Sequence, residues 1–292
     1  MKNTFKGTGV ALVTPFDSNG AIDHDALRKL VRFQIDNKTD FLVVQGTTGE
    51  SPVLSHDEKM AVLKTVQDEN NGAVQIVYGV GGNNTEAVAE SLRNLPSGID
   101  GILSVSPYYN KPTQKGIVAH YKTISKATKL PIILYNVPGR TGSNVTAETT
   151  LELSKVENIV AVKEASGDMG QIMHIVKNRP DGFGVLSGDD AITMPLIAAG
   201  IDGVISVVAN AFPKRFNEMV HKGLSGDIQG SRSAHYDLLD VTNMLFEEGN
   251  PGGVKVALET MGIMSSQMRL PLYPVSSNLN ERIQNETKRI IG

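Results

Sequence analysis

The chain contains no cysteine and no tryptophan, and only 5% of its residues are aromatic. Without a thiol there is no disulfide framework, no thiolate metal site and no cysteine nucleophile, a usage that fits a reducing cytoplasm. An excess of one charge is also lacking. Lys and Arg number 28 against 31 Asp and Glu, for a formal net charge of -3, so no basic surplus invites nucleic acid or an anionic membrane surface. Long apolar runs are missing as well. The N-terminal stretch "MKNTFKGTGVALVTPFDSNG" holds only "GVALV", whereas a signal peptide needs a longer run and a spanning helix roughly 20 apolar residues. Neither is expected, and a cytoplasmic protein without a membrane or nucleic-acid partner is.

What is present is an ordinary globular composition, 40% hydrophobic and 20% charged over 292 residues, long enough for a large core. Short apolar runs recur at a near-constant interval. They are "GVALVTPF" from Gly9, "FLVVQG" from Phe41, "QIVYGV" from Gln75, "GILSVSP" from Gly101, "PIILYNV" from Pro131, "IVAVKEAS" from Ile159, "FGVLSG" from Phe183 and "DGVISVV" from Asp202. Each is rich in Val and Ile and continuous in hydrophobicity, the mark of a parallel strand buried on both faces.

Helical periodicity fills the intervals. Leu27, Leu30, Val31 and Ile35 are spaced three and four apart. Ser55 with Glu58 forms a capping-box pattern, and Thr146 and Ser187-Gly188-Asp189 are further start signals. Eight strand–helix alternations predict an α/β fold, a (β/α)8 TIM barrel. A doubly wound open sheet competes, but no GxGxxG follows the first strand, and "GVGGNN" from Gly79 lacks that spacing. After Val208 the strand signal stops. "FPKRFNEMVHKGL", "IQGSRSAHYDLLDVTNMLFEEG", "GGVKVALETMGIM" and "NLNERIQNETKRIIG" read as helices. The expected division is a catalytic barrel over 1–224 and a small C-terminal helical extension over 225–292.

In such barrels chemistry sits at the carboxyl ends of the strands. There the sequence places Thr14, "GTTGES" (Gly46 to Ser51), Tyr108 and Tyr109, Tyr135 and Arg140, Lys163 and Glu164, Gly188-Asp189-Asp190, and Ile205-Ser206. The six histidines all fall in helical segments, so a His–carboxylate metal site is not expected. The acids Glu50, Glu164, Asp189 and Asp190 are scattered over turn and capping positions, which disfavours a glycosidase carboxylate pair. A lysine among hydroxyls remains. Burial in a barrel mouth disfavours an ammonium and lowers an amine's pKa. The free amine can attack a ketone to form an imine, an electron sink for carbon–carbon chemistry. Tyrosine supplies a proton donor and acceptor, threonine can relay, and arginine offers a fork for a carboxylate. Taken singly, each residue has a plainer role: Lys163 ion-paired to Glu164, Tyr135 in the core, "GTTGES" a helix-capping turn, Arg140 a surface charge. The catalytic reading rests on all four meeting at one face.

Together "GTTGES", "SPYYNKPTQKG", "YNVPGRTG", "VKEASGD" and "SGDD" resemble the dihydrodipicolinate synthase family, within the wider N-acetylneuraminate lyase superfamily. The resemblance spans nearly the whole chain in motif order. The second threonine of "GTTGE" and the arginine of "YNVPGRTG" favour the narrower family. It implies a barrel with a C-terminal helical domain, a homotetramer built as a dimer of tight dimers, and condensation of pyruvate with L-aspartate 4-semialdehyde in diaminopimelate–lysine biosynthesis. No metal or organic cofactor is implied. By this resemblance Lys163 forms the imine, Tyr135 is the acid/base, Thr47 relays protons and Thr48 positions the pyruvyl carboxylate. Tyr109 reaches into the neighbouring subunit to complete a Tyr–Thr–Tyr relay, Arg140 holds the semialdehyde carboxylate, and main-chain groups of Gly188 and Ile205 line the pocket. Ser51, His56, Asn83, Glu86 and Tyr108 could supply a regulatory lysine site, with Lys59 where some inhibited relatives carry a histidine. Gly252-Gly253 departs from a stiffer pair in many relatives and bears on how that segment packs. The competing readings are a pyruvate-imine aldolase acting on a sugar acid and an inactive barrel that binds keto acids.

Overall fold

Eight strands of four to six residues alternate with helices in the computed structural model of the protein, which describes residue 2 and residues 4–292. Met1 and Asn3, at the head of the N-terminal stretch discussed above, lie outside the described residues. The strands are β1 (Gly7–Ala11), β2 (Phe41–Val44), β3 (Gln75–Gly79), β4 (Gly101–Val105), β5 (Ile132–Asn136), β6 (Ile159–Glu164), β7 (Gly184–Ser187) and β8 (Gly203–Ser206). Each pairs in parallel with the next, and β8 returns to β1, closing the barrel. The expected eight-stranded barrel is the observed one.

The continuous apolar character of the strands has a direct cause. Val10, Leu42, Ile102, Leu134, Val162 and Val204 face the surrounding helices. Phe41, Val43, Val77, Leu103, Ile133 and Leu186 fill the interior. Both faces are therefore dry, and no alternation with polar residues is possible.

The helices are α1 (His24–Asp36), α2 (His56–Asn70), α3 (Thr85–Arg93), α4 (Gln114–Ser125), a one-turn α5 (Pro138–Thr141), α6 (Ala147–Leu153), α7 (Met169–Asn178), α8 (Thr193–Ala198), α9 (Pro213–Leu224), α10 (Ile228–Phe246), α11 (Gly252–Thr260) and α12 (Ser277–Ile291). The Ser55/Glu58 capping box forms at the start of α2, and Thr146 caps α6. Asp189 caps a 3-10 turn over Asp190–Ile192 that leads into α8.

One irregularity positions the chemistry. Ile132 pairs with Ile159, but Ile133 pairs with Ala161, so Val160 is an extra residue in β6. Beyond this bulge Tyr135 pairs with Lys163 and Asn136 with Glu164. A one-residue change of register moves every following side chain to the opposite face. The bulge lets Ile159 face the helices while Val160 and Ala161 both join the interior cluster.

After α9, the last barrel helix, the chain folds back as α10 along α9, with α11 and α12 stacked on it. Gly252 and Gly253, whose packing the sequence left open, are both buried at the start of α11. A Cβ on Gly253 would lie 2.6 Å from the Leu245 carbonyl oxygen and 2.7 Å from its Cα. That backbone cannot yield, so a glycine here brings α11 directly against the end of α10.

Candidate active site

Lys163, next to last in the apolar strand β6, is 5% exposed and belongs to the barrel interior. Its Nζ lies 4.3 Å from the ring centroid of Tyr135, its partner on β5. Glu164, the neighbour that could have made Lys163 a structural ion pair, is turned the other way. Its carboxylate is bonded to Asn136, to the Ser166 hydroxyl and, at 3.0 Å, to Gln171 Nε2. Burial raises the pKa of this carboxyl, against the opposing pull of those donors. The Glu164 network fastens β5, β6 and α7 together behind the Tyr135–Lys163 pair.

Glycine at 188 makes room for the lysine. A Cβ there would lie 2.9 Å from Lys163 Cε and 2.7 Å from Ala165 Cβ. The Gly188 N–H donates to the Glu164 carbonyl at 2.7 Å, holding the β7 end against β6. Next to it the buried Asp190 carboxylate accepts from the Val207 and Val208 N–H groups at 2.9 and 3.1 Å, which fixes the turn after β8.

The opposite wall is the turn after β2. Thr47–Gly49 form a 3-10 turn, closed by Glu50 in the left-handed region at φ 55°. The Thr14 hydroxyl donates to the Gly49 carbonyl at 2.7 Å and braces this turn from the loop after β1. Thr48 is buried, whereas Thr47 is exposed toward the mouth.

These walls enclose a cavity of about 410 Å³. Thr47, Thr48, Tyr135, Arg140, Lys163 and Gly188 all line it, so six of the expected residues meet at one place. Arg140 stands exposed on α5 at the rim. Ile205 does not reach the cavity; it is buried in the interior cluster below, and Val207 lines the wall instead.

The sequence reading missed the roof. Thr242, Asn243, Phe246 and Asn250, from α10 and the turn after it, line the same cavity, as does Asp189. The Asn250 amide donates to the Thr48 hydroxyl oxygen at 3.0 Å across 202 positions of sequence. No local signal in "FEEGNPGG" marks this residue, because its role depends wholly on how the extension docks.

A second cavity of about 730 Å³ adjoins the first, with Thr47, Tyr135 and Arg140 common to both. Ser51, His56, Lys59 and Tyr108 line it. Burial lowers the Lys59 pKa. Asn83 and Glu86 do not line this cavity: the Asn83 amide donates to the Tyr108 carbonyl at 3.3 Å, and Glu86 pairs with Arg93 at 2.9 Å. Tyr109 lines neither cavity and is 86% exposed, at φ 75°.

Known proteins resemble this chain throughout its length. The sequence model of the Dihydrodipicolinate synthetase family matches residues 4–290. The chain belongs to that family. It is 50% identical over 287 residues to the 4-hydroxy-tetrahydrodipicolinate synthase of Parabacteroides distasonis, covering 98% of this chain and 97% of the relative. The crystal structure of dihydrodipicolinate synthase from Thermotoga maritima superposes with a TM-score of 0.96 at 41% identity, with 99% of each chain covered. A monomeric dihydrodipicolinate synthase variant superposes at 0.95, also at 41% identity, covering 98% of this chain and 97% of that one. Membership of the dihydrodipicolinate synthetase family accounts for the eight-stranded barrel and its C-terminal helices together. No helix among the described residues is long and apolar enough to cross a membrane.

Proposed function

We infer that the chain is a 4-hydroxy-tetrahydrodipicolinate synthase, a lyase of diaminopimelate and lysine biosynthesis that joins pyruvate to L-aspartate 4-semialdehyde. The observation that carries this reading is the Tyr135–Lys163 pair at the floor of a cavity with Arg140 at its rim. The Lys163 amine adds to the pyruvate ketone and water leaves, forming the imine. Tyr135 exchanges the protons of that addition and of enamine formation. The enamine carbon then attacks the semialdehyde aldehyde. The adduct's own amine displaces Lys163, closing the ring and returning the free enzyme. Only one water is lost overall. The imine is itself the electron sink, so the reading requires no metal or organic cofactor.

Thr48, fixed by Asn250, is suited to the pyruvate carboxylate, and Arg140 to the carboxylate of the semialdehyde. Thr47, exposed at the mouth, can pass a proton between Tyr135 and a second hydroxyl. We assign that hydroxyl to Tyr109 of a second copy. A tyrosine left exposed at positive φ is costly in a lone chain and useful at an interface. The assembly follows as a tight dimer, doubled into a homotetramer, working in the cytoplasm. Gly188 belongs to the pyruvate pocket, with Ile205 beneath it. The cavity beside Ser51, His56 and Tyr108 is the candidate seat for lysine, with Lys59 opposing the ligand's ammonium; Asn83 and Glu86 would join it only through a rearrangement of their present bonds.

The test is a coupled assay with both substrates, with and without lysine, beside borohydride reduction in the presence of pyruvate. One pyruvyl-derived mass on the Lys163 peptide, with loss of activity, is expected. An adduct elsewhere, or condensation only with sugar-acid aldehydes, would overturn the reading.

A further inference from the structure

Behind the Thr47–Gly49 turn lies an ion pair that the chemistry above does not use. Lys255 on α11 meets Glu50 at 2.5 Å, and neither side chain has any exposed surface. The other Glu50 carboxylate oxygen accepts from the Arg269 N–H at 3.2 Å. Lys255 Nζ donates to the Gln267 carbonyl at 2.8 Å and stands 4.5 Å from the Phe16 ring centroid. Arg269 lies against the same ring and forks onto Glu58 at 2.6 and 2.9 Å. The turn after β2 is thus gripped from behind by α11 and the irregular segment that follows it.

Stability alone does not account for this choice. Removing two charges from water costs about as much as their attraction returns, and an apolar pair of equal size serves a core as well or better. What an ion pair adds is direction: it is satisfied at one register only. Glu50 is two residues from Thr48, and its left-handed backbone sets the angle of the turn. Asn250, five residues before Lys255, donates to the Thr48 oxygen, which leaves the Thr48 proton to be given to a ligand.

We propose that the Glu50–Lys255 pair is a positioning device for Thr48, which makes the C-terminal extension a working part of the pyruvate site. The proposal rests on the reading of Lys163 and Thr48 given above. Neither Glu50 nor Lys255 lines the cavity, so both act through the turn.

The experiment compares the full-length wild type, Lys163→Ala and the neutral double variant Glu50→Gln/Lys255→Met. It measures melting temperature, KM for each substrate, and the pyruvate concentration that half-saturates borohydride trapping. The double variant should fold and melt close to the wild type. Its half-saturating pyruvate should rise about tenfold or more, since a misplacement of about an ångström can cost as much as about a hundredfold, while KM for the semialdehyde moves far less. A folded double variant that traps at wild-type pyruvate concentrations overturns the proposal, as does an equal change in both KM values. Should the double variant not fold, Glu50→Asp keeps both charges and shortens the reach by one methylene. It should raise half-saturating pyruvate several-fold, and no change in it would overturn the proposal. If the wild type fails to trap at Lys163, the site reading itself falls, and the positioning role with it.

Discussion

Tyr135 and Lys163 are register partners on β5 and β6, and the lysine nitrogen lies over the tyrosine ring. A nucleophile and its proton carrier are thereby held on one rung of adjacent strands, with no loop between them. Tyr135→Phe keeps the ring and removes only the hydroxyl. We expect kcat to fall about 10²–10⁴-fold, with the borohydride adduct still on Lys163 but forming more slowly, and with melting little changed. A variant with full kcat would remove Tyr135 from proton transfer.

Gly188→Ala tests the space the lysine needs. The added methyl meets Lys163 Cε and Ala165 Cβ below ordinary contact distance. Overpacking of this kind costs about 1–3 kcal/mol. Because the lysine must tilt to admit it, pyruvate trapping should be lost more completely than stability. Trapping at the wild-type rate would show that Lys163 has another rotamer to use.

Arg140→Ala should weaken use of the semialdehyde far more than pyruvate trapping. A charge-assisted bond to a carboxylate is worth roughly 1.5–3 kcal/mol, which is about ten- to a hundredfold in kcat/KM. Equal loss toward both substrates would instead make Arg140 an organiser of the mouth.

Tyr109 is tested by complementation. Tyr109→Phe and Lys163→Ala variants, mixed under conditions of subunit exchange, form dimers with one doubly defective site and one intact site if Tyr109 acts in trans. Activity should then return above the sum of the two variants. With exchange confirmed by mass, no recovery would place Tyr109 outside the partner's site.

The grip of the extension should respond to acid. The Arg269 guanidinium and the Ser55 N–H hold the Glu58 carboxyl well below its ordinary value, at about 2. A depressed carboxyl contributes stability that is fully present above its unfolded pKa of 4.5 and is lost as pH falls toward about 2. Both side chains keep some exposure, so solvent screening limits the contribution to about 1 kcal/mol. Denaturant unfolding of Glu58→Gln should show that deficit at pH 7 and a shrinking difference from wild type below pH 4.5. A deficit independent of pH would mean packing, not charge.

Much of this was legible in the chain before folding. Eight apolar runs gave the barrel because a parallel strand dry on both faces has no other pattern available. Lys163, Tyr135, Thr47, Thr48 and Arg140 were legible together, as polar residues at strand ends of one barrel face and as parts of the family motifs, though each alone has a plainer reading. The missed features are all long-range. Asn250 and Thr48 are 202 positions apart, and Lys255 reads as one more charge on an amphipathic helix until Glu50 is seen behind it. Asn83 and Glu86 came from the family resemblance, and in the folded chain they bond to Tyr108 and Arg93 instead of lining the cavity.

The bulge at Val160 has a consequence of parity. Along a strand, odd and even positions belong to different solvents: here the mouth of the barrel and the layer under the helices. Lys163 and Glu164 are adjacent, so whichever of them faces inward gives the cavity its sign. Val160 makes the count come out in favour of the amine. Were Val160 drawn into the ladder opposite Ile133, every later residue of β6 would slip one place: Val162 would stand beside Tyr135 and Lys163 would turn toward the helices. What selects a nucleophile here is the one residue of β6 that is left unpaired.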